Sequence, residues 1–253
     1  MSRITLLPVL ALALAGCDRL NAISDLANPI VAQGIYVGLD LPDGVDLSGS
    51  DLLAYSAACS VFLADVNDPS QFDKSPVEGA SVSFRSGQNA GFDLVDEGDG
   101  KYLVSADDGL VYEPNDDAVI TTKVAGEEAR LAVSTPASPD VDVPTTLQPE
   151  HGFTADLSGQ GYDNVLVAVY DVTRGKLTWD NLPTDIGSTY EFTHGDTQES
   201  VVVPGDAFLR QSNYVVGIAG MTQADASTFE GVSQTLSAFM AGQFALRFVV
   251  VQK

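Results

Sequence analysis

Cys17 is the residue of this chain best placed for covalent chemistry, because its thiol directly follows a short apolar leader. The leader opens with one positive charge at Arg3 and continues as an apolar and small-residue run from Ile4 to Ala15. This layout is that of a secretory signal peptide. The run of twelve residues is shorter than the ~20 that a membrane-spanning helix needs. We therefore expect residues 1–16 to be a signal peptide that is removed.

The segment Leu14-Ala15-Gly16-Cys17 resembles the lipobox of bacterial lipoproteins. The resemblance implies that the Cys17 thiol takes a diacylglyceryl group, that the leader is cut before Cys17, and that the new amine is acylated, for example with palmitate. One acyl chain holds a protein to a bilayer weakly, whereas several chains anchor it stably. Asp18 is similar to an inner-membrane retention signal of enteric lipoproteins. Inner- or outer-membrane anchoring, and the periplasmic or the surface side, remain alternatives.

The remaining residues do not form a known catalytic or cofactor-binding motif. The sequence has no Gly-x-Ser-x-Gly and no phosphate-binding glycine loop. Its two histidines, His151 and His194, are isolated, and zinc needs three or four such ligands. Cys59 lies in an apolar run where it is expected to act as a small buried hydrophobe that shares a face with Tyr55, Val61 and Leu63. We predict no enzyme, no catalytic residue, no cofactor-binding residue and no metal-binding residue.

Clusters of acidic residues in turns are the alternative candidate sites, because calcium takes oxygen ligands from such turns. None has the Asp-x-Asp-x-Asp-Gly spacing of a calcium loop, and Asp also favours turns by bonding its own backbone. A second alternative is a sugar-binding patch of aromatic and amide side chains at residues 162–164 and 179–181. The opposing interpretation of these residues is a core tryptophan and a turn. The acidic clusters are Asp40, Asp43 and Asp46; Asp96, Glu97 and Asp99; Asp107 and Asp108; Asp116 and Asp117.

The charge balance limits the partners of the protein. With 12 basic and 35 acidic residues the net charge is −23. Such a chain repels nucleic acid, whose binding depends on Lys and Arg contacts to phosphate. It also repels anionic lipid headgroups, so the folded part is expected to stand away from the bilayer and to stay soluble.

Short apolar runs alternate with Gly, Asp, Asn and Pro at about ten-residue spacing, which predicts an all-β protein of two tandem antiparallel β-sandwich domains. We expect a tether at residues 17–28, an Ig-like sandwich at 29–135, a proline-rich linker at 136–149 and an Ig- or fibronectin-type sandwich at 150–253. No segment predicts an amphipathic helix longer than two turns. The expected strands are Ile30–Leu39, Ala54–Val66, Ala80–Phe84, Phe92–Val95, Lys101–Ser105, Ala118–Val124, Glu128–Ser134, Phe153–Leu157, Val165–Asp171, Leu177–Trp179, Tyr190–Thr193, Ser200–Val203, Tyr214–Met221, Gln234–Met240 and Phe244–Val251.

Two of these strand patterns make specific predictions. The run from Asn164 to Tyr170 is apolar on both faces, as in a central strand. The last two runs are separated by Ala241-Gly242 and are expected to form a hairpin whose second strand puts Leu246, Phe248 and Val250 on one face.

The segment from Pro76 to Phe84, followed by residues 96–102, resembles the Ig-like and carboxypeptidase-regulatory-like domains of bacterial surface proteins. The pattern predicts a tight entry at Gly79, a hairpin turn at Asp99-Gly100 and a core position for Tyr102. Phe208-Leu209 followed by Tyr214 is similar to the tyrosine corner of Ig and fibronectin sandwiches, where the hydroxyl bonds to upstream backbone. Trp179 has no disulfide to pack on, which excludes an antibody-type domain.

The sequence therefore predicts a lipid-anchored cell-envelope protein with a structural or protein-interaction role and an unidentified envelope partner. The alternative is a calcium-braced module that binds glycan or peptide.

Overall fold

The computed structural model describes residues 30–40, 56–87 and 91–252, which are mostly β-strand. This confirms the all-β prediction. One α-helix, α1, spans Ile186–His194. The strands in chain order are β1 Ile30–Asp40, β2 Ala57–Asp65, β3 Ser81–Ser86, β4 Phe92–Asp93, β5 Val95–Gly98, β6 Lys101–Ser105, β7 Asp117–Val124, β8 Glu127–Ser134, β9 Thr146–Leu147, β10 Phe153–Asp156, β11 Asn164–Asp171, β12 Lys176–Asp180, β13 Ser200–Val203, β14 Ser212–Gln223 and β15 Ala238–Val251.

A nine-stranded sheet crosses the whole described molecule in the order β12-β11-β14-β15-β1-β2-β6-β5, with β9 pairing to the end of β15. Its two halves meet where β1 pairs in parallel with the first part of β15, from Gln33 opposite Ala238 to Asp40 opposite Ala245. All other pairings along the main path are antiparallel. The first described strand is therefore hydrogen-bonded to the last.

Two smaller sheets cover one face of the long sheet. A four-stranded sheet, β4-β3-β7-β8, encloses a core with Tyr36, Cys59 and Phe239, and a two-stranded sheet, β10-β13, encloses a second core with Val249 and Val251. Because side chains alternate along a strand, the odd-numbered residues of β15 all point to this side. Both cores thus lie on the same side of one shared sheet.

The opposite face is covered in part by α1 and a 3₁₀ turn at Pro69–Lys74. Phe72 of that turn packs edge-on against Tyr190 of the helix, with ring centroids 5.5 Å apart. The helix begins at a reciprocal cap in which Asp185 accepts a 2.7 Å bond from the backbone N–H of Ser188. This bond stabilises the carboxylate, so the pKa of Asp185 lies below its usual value.

Several sequence predictions are confirmed in detail. Asp99 and Gly100 have φ angles of 51° and 72° in the turn between β5 and β6, as a tight hairpin requires. Tyr102 is fully buried. Its hydroxyl donates to the carbonyl of Val77 at 2.8 Å and accepts from the backbone N–H of Ala80 at 3.0 Å. The tight entry at Gly79 is also present, with φ of 67°.

The hairpin predicted at Ala241-Gly242 is wrong, because β15 runs without a break from Ala238 to Val251. Gly242 is required because any side chain at this position would clash with the neighbouring strand β14. A Cβ on it would lie 2.3 Å from Sδ of Met221 and 2.8 Å from the carbonyl oxygen of Gly220 on β14. The close approach of two strands, and not a turn, requires the glycine.

The strand predicted at Tyr190–Thr193 is also wrong, because these residues form the second half of α1. The aromatic and β-branched residues favour a strand locally, but the cap at Asp185 and packing against Phe72 outweigh that preference.

The segment from residue 136 to 145 contains neither helix nor strand, and the next two residues form β9. It lies against the body of the protein. Val141 is buried in the second core, and its carbonyl accepts a 3.3 Å bond from Nε of Arg247.

Candidate interaction surface

A row of side chains crosses four strands of the long sheet on the face away from the two small sheets. Leu177 on β12 lies opposite Tyr170 on β11, which lies opposite Val215 on β14, which lies opposite Phe248 on β15. Directly paired residues share a face of the sheet. The sequence prediction that Leu246, Phe248 and Val250 share a face is confirmed by the unbroken alternation of β15.

A second, shorter row lies one step nearer the end of the sheet. Val250 is opposite Asn213, and the backbone N–H of Val172 donates to the carbonyl of Asn213 at 3.0 Å. We call the two rows together the open face: Leu177, Tyr170, Val215 and Phe248, with Val172, Asn213 and Val250.

The open face exposes four apolar side chains side by side. Phe248 is 52%, Val172 48%, Leu177 43% and Val250 41% exposed. Isolated exposed apolar residues are ordinary, but contiguous ones on one sheet face mark interaction sites. The open face is thus the strongest candidate site among the described residues.

The same face of the sheet is covered further along. Phe244 and Leu246 of β15 are buried in a cluster with Leu166 of β11, and Leu182 and Phe192 pack against that cluster. The open face is therefore the continuation of a covered apolar face beyond the elements that shield it.

The backbone at the border of the open face is held by side-chain hydrogen bonds. Oδ1 of the buried Asp171 accepts from the backbone N–H groups of Thr173 and Arg174 and from the hydroxyl of Ser212. Its Oδ2 makes no hydrogen bond but lies 3.4 Å from the guanidinium of Arg174. These bonds hold the turn that carries Val172 at the edge of the open face.

Tyr214 fixes the neighbouring loop. Its hydroxyl donates to the carbonyl of Arg210, four residues upstream, at 3.2 Å, and its ring packs edge-on against Phe208 at 5.2 Å. This is the hydrogen bond that the tyrosine-corner pattern predicts.

The end of the sheet that carries the open face is nearly neutral, unlike the chain as a whole. Segments 143–153, 171–177, 203–214 and 246–252 meet there through pairings and hydrogen bonds of β9, β11, β14 and β15. They hold four basic and three acidic residues, whereas the chain holds 12 and 35. The residues are Arg174, Lys176, Arg210 and Arg247 against Glu150, Asp171 and Asp206.

The predicted acidic clusters bond their local backbone. Asp96 accepts from the backbone N–H groups of Gly79 at 2.8 Å and Gly98 at 2.9 Å, and these bonds lower its pKa. Asp108 accepts from the N–H of Ser105 at 3.0 Å. Within residues 30–40, 56–87 and 91–252, no three His, Cys, Asp or Glu side chains are grouped to hold a metal ion. Asp43 and Asp46 lie outside the described residues.

Asp116 and Asp117 line a cleft between the start of β7, the end of β8 and β14. The cleft comprises two adjoining cavities of about 370 and 330 Å³ that share Asp117, Ser134 and Thr222. Asp116 accepts from the N–H of Asp117 at 2.7 Å, and Asp117 accepts from the hydroxyl of Ser134 at 3.2 Å. Each carboxylate is thus partly used by the adjacent backbone or hydroxyl.

Several residues of the predicted sugar-binding patch make contacts within the fold. Trp179 is half-buried against the second core. Asn181 accepts from the N–H of Val167 at 2.7 Å and donates to the carbonyl of Val165 at 2.9 Å. Asn164 likewise donates to the carbonyl of Phe192 and accepts from the N–H of Gln198. Both amides bond backbone groups at each end, which fits the turn-and-core alternative.

Cys59 is fully buried with Val61 and Leu63 in the first core, as predicted for a small hydrophobe. Burial raises the pKa of its thiol, so the thiol is neutral at physiological pH. Tyr55 lies outside the described residues.

The two histidines have separate roles. His194 stacks on Tyr190 with ring centroids 4.2 Å apart, and desolvation of this partly buried ring lowers its pKa although the residue as a whole is exposed. His151 is exposed, and its ring nitrogen lies 3.1 Å from the carbonyl of Pro149.

The predicted signal peptide, Cys17 and the tether lie outside the described residues. Among the residues that are described, no helix is both long and apolar enough to cross a membrane. No protein-family model matches this chain, and no curated protein matches it significantly. The functional interpretation therefore depends on the residues themselves.

The sequence did not identify the open face as a site. Leu177, Val172 and Tyr170 lie more than 70 residues before Phe248 in the sequence, and only the successive pairings of β12, β11, β14 and β15 bring them to one face. The available signal was the apolar alternation of the last strand.

Proposed function

We propose that this protein is a lipid-anchored component of the bacterial cell envelope that binds another envelope protein through the open face. The lipobox pattern ending at Cys17 supports the anchor. The exposure of Phe248 beside Leu177, Val172 and Val250 is the observation that carries the interaction role. No catalysis is part of this proposal.

The position of the open face supports a role at a distance from the anchor. The segment that bears Cys17 enters the fold at Ile30, three residues before the Gln33–Ala238 pair. Phe248 lies ten residues beyond Ala238 in the parallel direction, so the separation is roughly 40 Å at ~3.3 Å per residue. Ile30, the first described residue after Cys17, and the exposed Phe248 thus lie toward opposite ends of the sheet.

The proposal includes the finer fold assignment of two tandem Ig-like sandwiches. The two separate cores, the Asp99-Gly100 hairpin and the Tyr214 hydroxyl bond support it. Both cores share one long sheet. A continuous sheet of this kind suits a spacer or scaffold. Fold alone supplies no partner.

Site-specific photo-crosslinking in native membranes tests the interaction role. A photoreactive phenylalanine analogue replaces Phe248 in one variant and Val111 in a matched control. Val111 is comparably exposed but lies outside the open face. We expect a crosslinked protein adduct from position 248 and none from position 111. Equal yields at both positions, or no adduct at 248, would contradict the proposed role.

A further inference from the structure

A threonine hydroxyl at the end of α1 lies between an imidazole ring and a carboxamide. Oγ1 of Thr193 is 2.8 Å from Nδ1 of His194 and 3.1 Å from Oε1 of Gln33 on β1. The carbonyl oxygen of Tyr190 is a third acceptor, at 3.2 Å. The single hydroxyl proton therefore has three acceptors within reach, and the imidazole nitrogen is the nearest of them.

The hydroxyl and the carboxamide are both enclosed by the protein. Gln33 is 0% and Thr193 is 4% exposed, whereas His194 reaches the surface. Nε2 of Gln33 donates to the carbonyl of Leu236, which fixes the plane of the amide. Two reactive groups that are 160 residues apart in the sequence are thus held in contact away from bulk water. Such positioning is what speeds a reaction between two groups of one molecule.

The contact between His194 and Thr193 is that of a general base with an oxygen nucleophile. Desolvation lowers the pKa of the ring, so the ring is neutral and able to accept a proton at about neutral pH. Because a carbonyl bond is about 1.2 Å long, Cδ of Gln33 lies within about 4.3 Å of the hydroxyl oxygen. An approach of about 1 Å brings the two atoms to the ~3–3.5 Å of a near-attack geometry.

From this geometry we propose that Thr193 and Gln33 react to form an intramolecular ester, which ties α1 covalently to β1. Oγ1 attacks Cδ while its proton passes to Nδ1 of His194, whose other nitrogen carries the ring's own proton. The tetrahedral carbon then expels the amide nitrogen, which takes the proton back from Nδ1 and leaves as ammonia. One C–N bond breaks, one C–O bond forms, and the imidazole ends as it began.

The surroundings of the bond favour its persistence. Ammonia that escapes into bulk water does not return at an appreciable rate, so the step runs in one direction. The ester itself stays where Gln33 and Thr193 are now, away from water that would hydrolyse it.

The place of the ester in the fold indicates its use. Gln33 lies three residues after Ile30, where the described chain begins. A pull on that end is otherwise borne by the hydrogen bonds that β1 makes with β2 and β15. The ester would pass the load to α1 in the second half of the chain. This inference goes beyond the proposed function, and formation of the ester requires neither the lipid anchor nor the open face.

Peptide mapping of the full chain isolated from native membranes tests for the bond. Trypsin cuts after Lys and Arg, so Gln33 falls in the peptide 20–74 and Thr193 in the peptide 177–210. We expect one joined species whose mass is about 17 Da, one ammonia, below the sum of the two peptides. Mild hydroxylamine, which cleaves esters and spares amides, should separate them. Two separate peptides without any joined species, or a joined species that resists hydroxylamine, overturns the proposal.

Matched threonine variants identify the nucleophile. Thr193→Val keeps the shape of the side chain and should abolish the joined species, whereas Thr193→Ser keeps the hydroxyl and should retain it. Thr189→Val is the control, because Thr189 is buried in the same helix and its hydroxyl donates to the carbonyl of Asp185. Unfolding curves establish that each variant is folded. A joined species that persists in Thr193→Val, or equal loss in folded Thr189→Val, overturns the proposal.

The rate at which the joined species appears tests the base. After a pulse of synthesis, His194→Gln should slow its formation by about 100-fold or more, since proton transfer by a positioned base contributes at least that much. His151→Gln changes an exposed ring elsewhere and should leave the rate unchanged. Equal rates for His194→Gln and the unmodified chain would overturn the step through Nδ1.

Discussion

Phe248 and Val215 face each other across the pairing of β14 with β15, yet Val215 is 5% exposed and Phe248 is 52% exposed. The difference follows from their neighbours. Val215 lies between Tyr170 and Phe248 in the middle of its row. β1 stops pairing with β15 at Ala245, and β9 starts at Val250. At Phe248, β15 therefore pairs with β14 on one side but with neither β1 nor β9 on the other.

This difference predicts opposite effects of two phenylalanine substitutions on β15. Phe244→Ala should lower the free energy of unfolding by about 3–5 kcal/mol, because Phe244 is buried among Leu166 and Leu246. Phe248→Thr should change it by no more than about 0.5 kcal/mol, because the side chain is exposed. Urea unfolding of the two variants beside the unmodified chain measures both effects. A large loss for Phe248→Thr would mean that the open face is covered in the folded protein.

The hydrogen bond of Tyr214 predicts a smaller effect. Tyr214→Phe removes the donor to the carbonyl of Arg210 and should cost about 1 kcal/mol of unfolding free energy. Tyr170→Phe on the open face is the matched control and should cost about 0.5 kcal/mol or less. Equal costs in urea unfolding would show that the Tyr214 bond contributes nothing specific to the fold.

His194 predicts a pH dependence of stability. Partial burial of its ring against Tyr190 lowers its pKa in the folded protein below the usual value, although the residue as a whole is exposed, so the folded state binds fewer protons than the unfolded chain. Its stabilising contribution is complete above the unfolded pKa and is lost as pH falls through the folded one. Urea unfolding at about pH 7 and pH 5.5 should show a smaller loss for His194→Gln than for the unmodified chain.

The other histidine supplies the control for this measurement. His151→Gln alters an exposed ring and should leave the pH dependence of the unmodified chain intact. If His151→Gln reduced the loss of stability as much as His194→Gln, burial of His194 would not be its cause.

The two cysteines predict a distinctive thiol count. Protein taken from native membranes should show no reactive thiol while folded, because the proposed anchor places lipid on the sulfur of Cys17 and because Cys59 is buried with a raised pKa. Unfolding in denaturant should expose one thiol per chain. Titration with a chromogenic disulfide reagent measures both states. Two thiols after unfolding would mean that Cys17 carries no lipid, and Cys59→Ser identifies which sulfur reacts.

The sequence predicted the strands well because their alternation is a local signal. β6, β7, β8 and β13 are found at or within one residue of the predicted bounds. The tight turn at Asp99-Gly100 and the bond of Tyr214 are local too, since each depends on residues close in sequence.

The features that the sequence missed depend on distant contacts. Gly242 was interpreted as a turn because the strand that crowds it, β14, is not evident from the residues around it. The pairing of Gln33 with Ala238 joins positions about 200 residues apart. Alternation showed that Leu246, Phe248 and Val250 share a face, but which of them are covered depends on Leu182 and Phe192, which pack over only part of that face. Which residues of a strand stay exposed, and hence where the candidate site lies, is decided only when the whole sheet is assembled.

The intact mass of the protein isolated from its native membrane fraction, measured beside a Cys17→Ala variant, tests the central claim most directly. We predict a mass that lacks residues 1–16 and carries added acyl chains, and loss of this modification and of membrane association in the variant. An unmodified chain in the soluble fraction would contradict the lipid anchor.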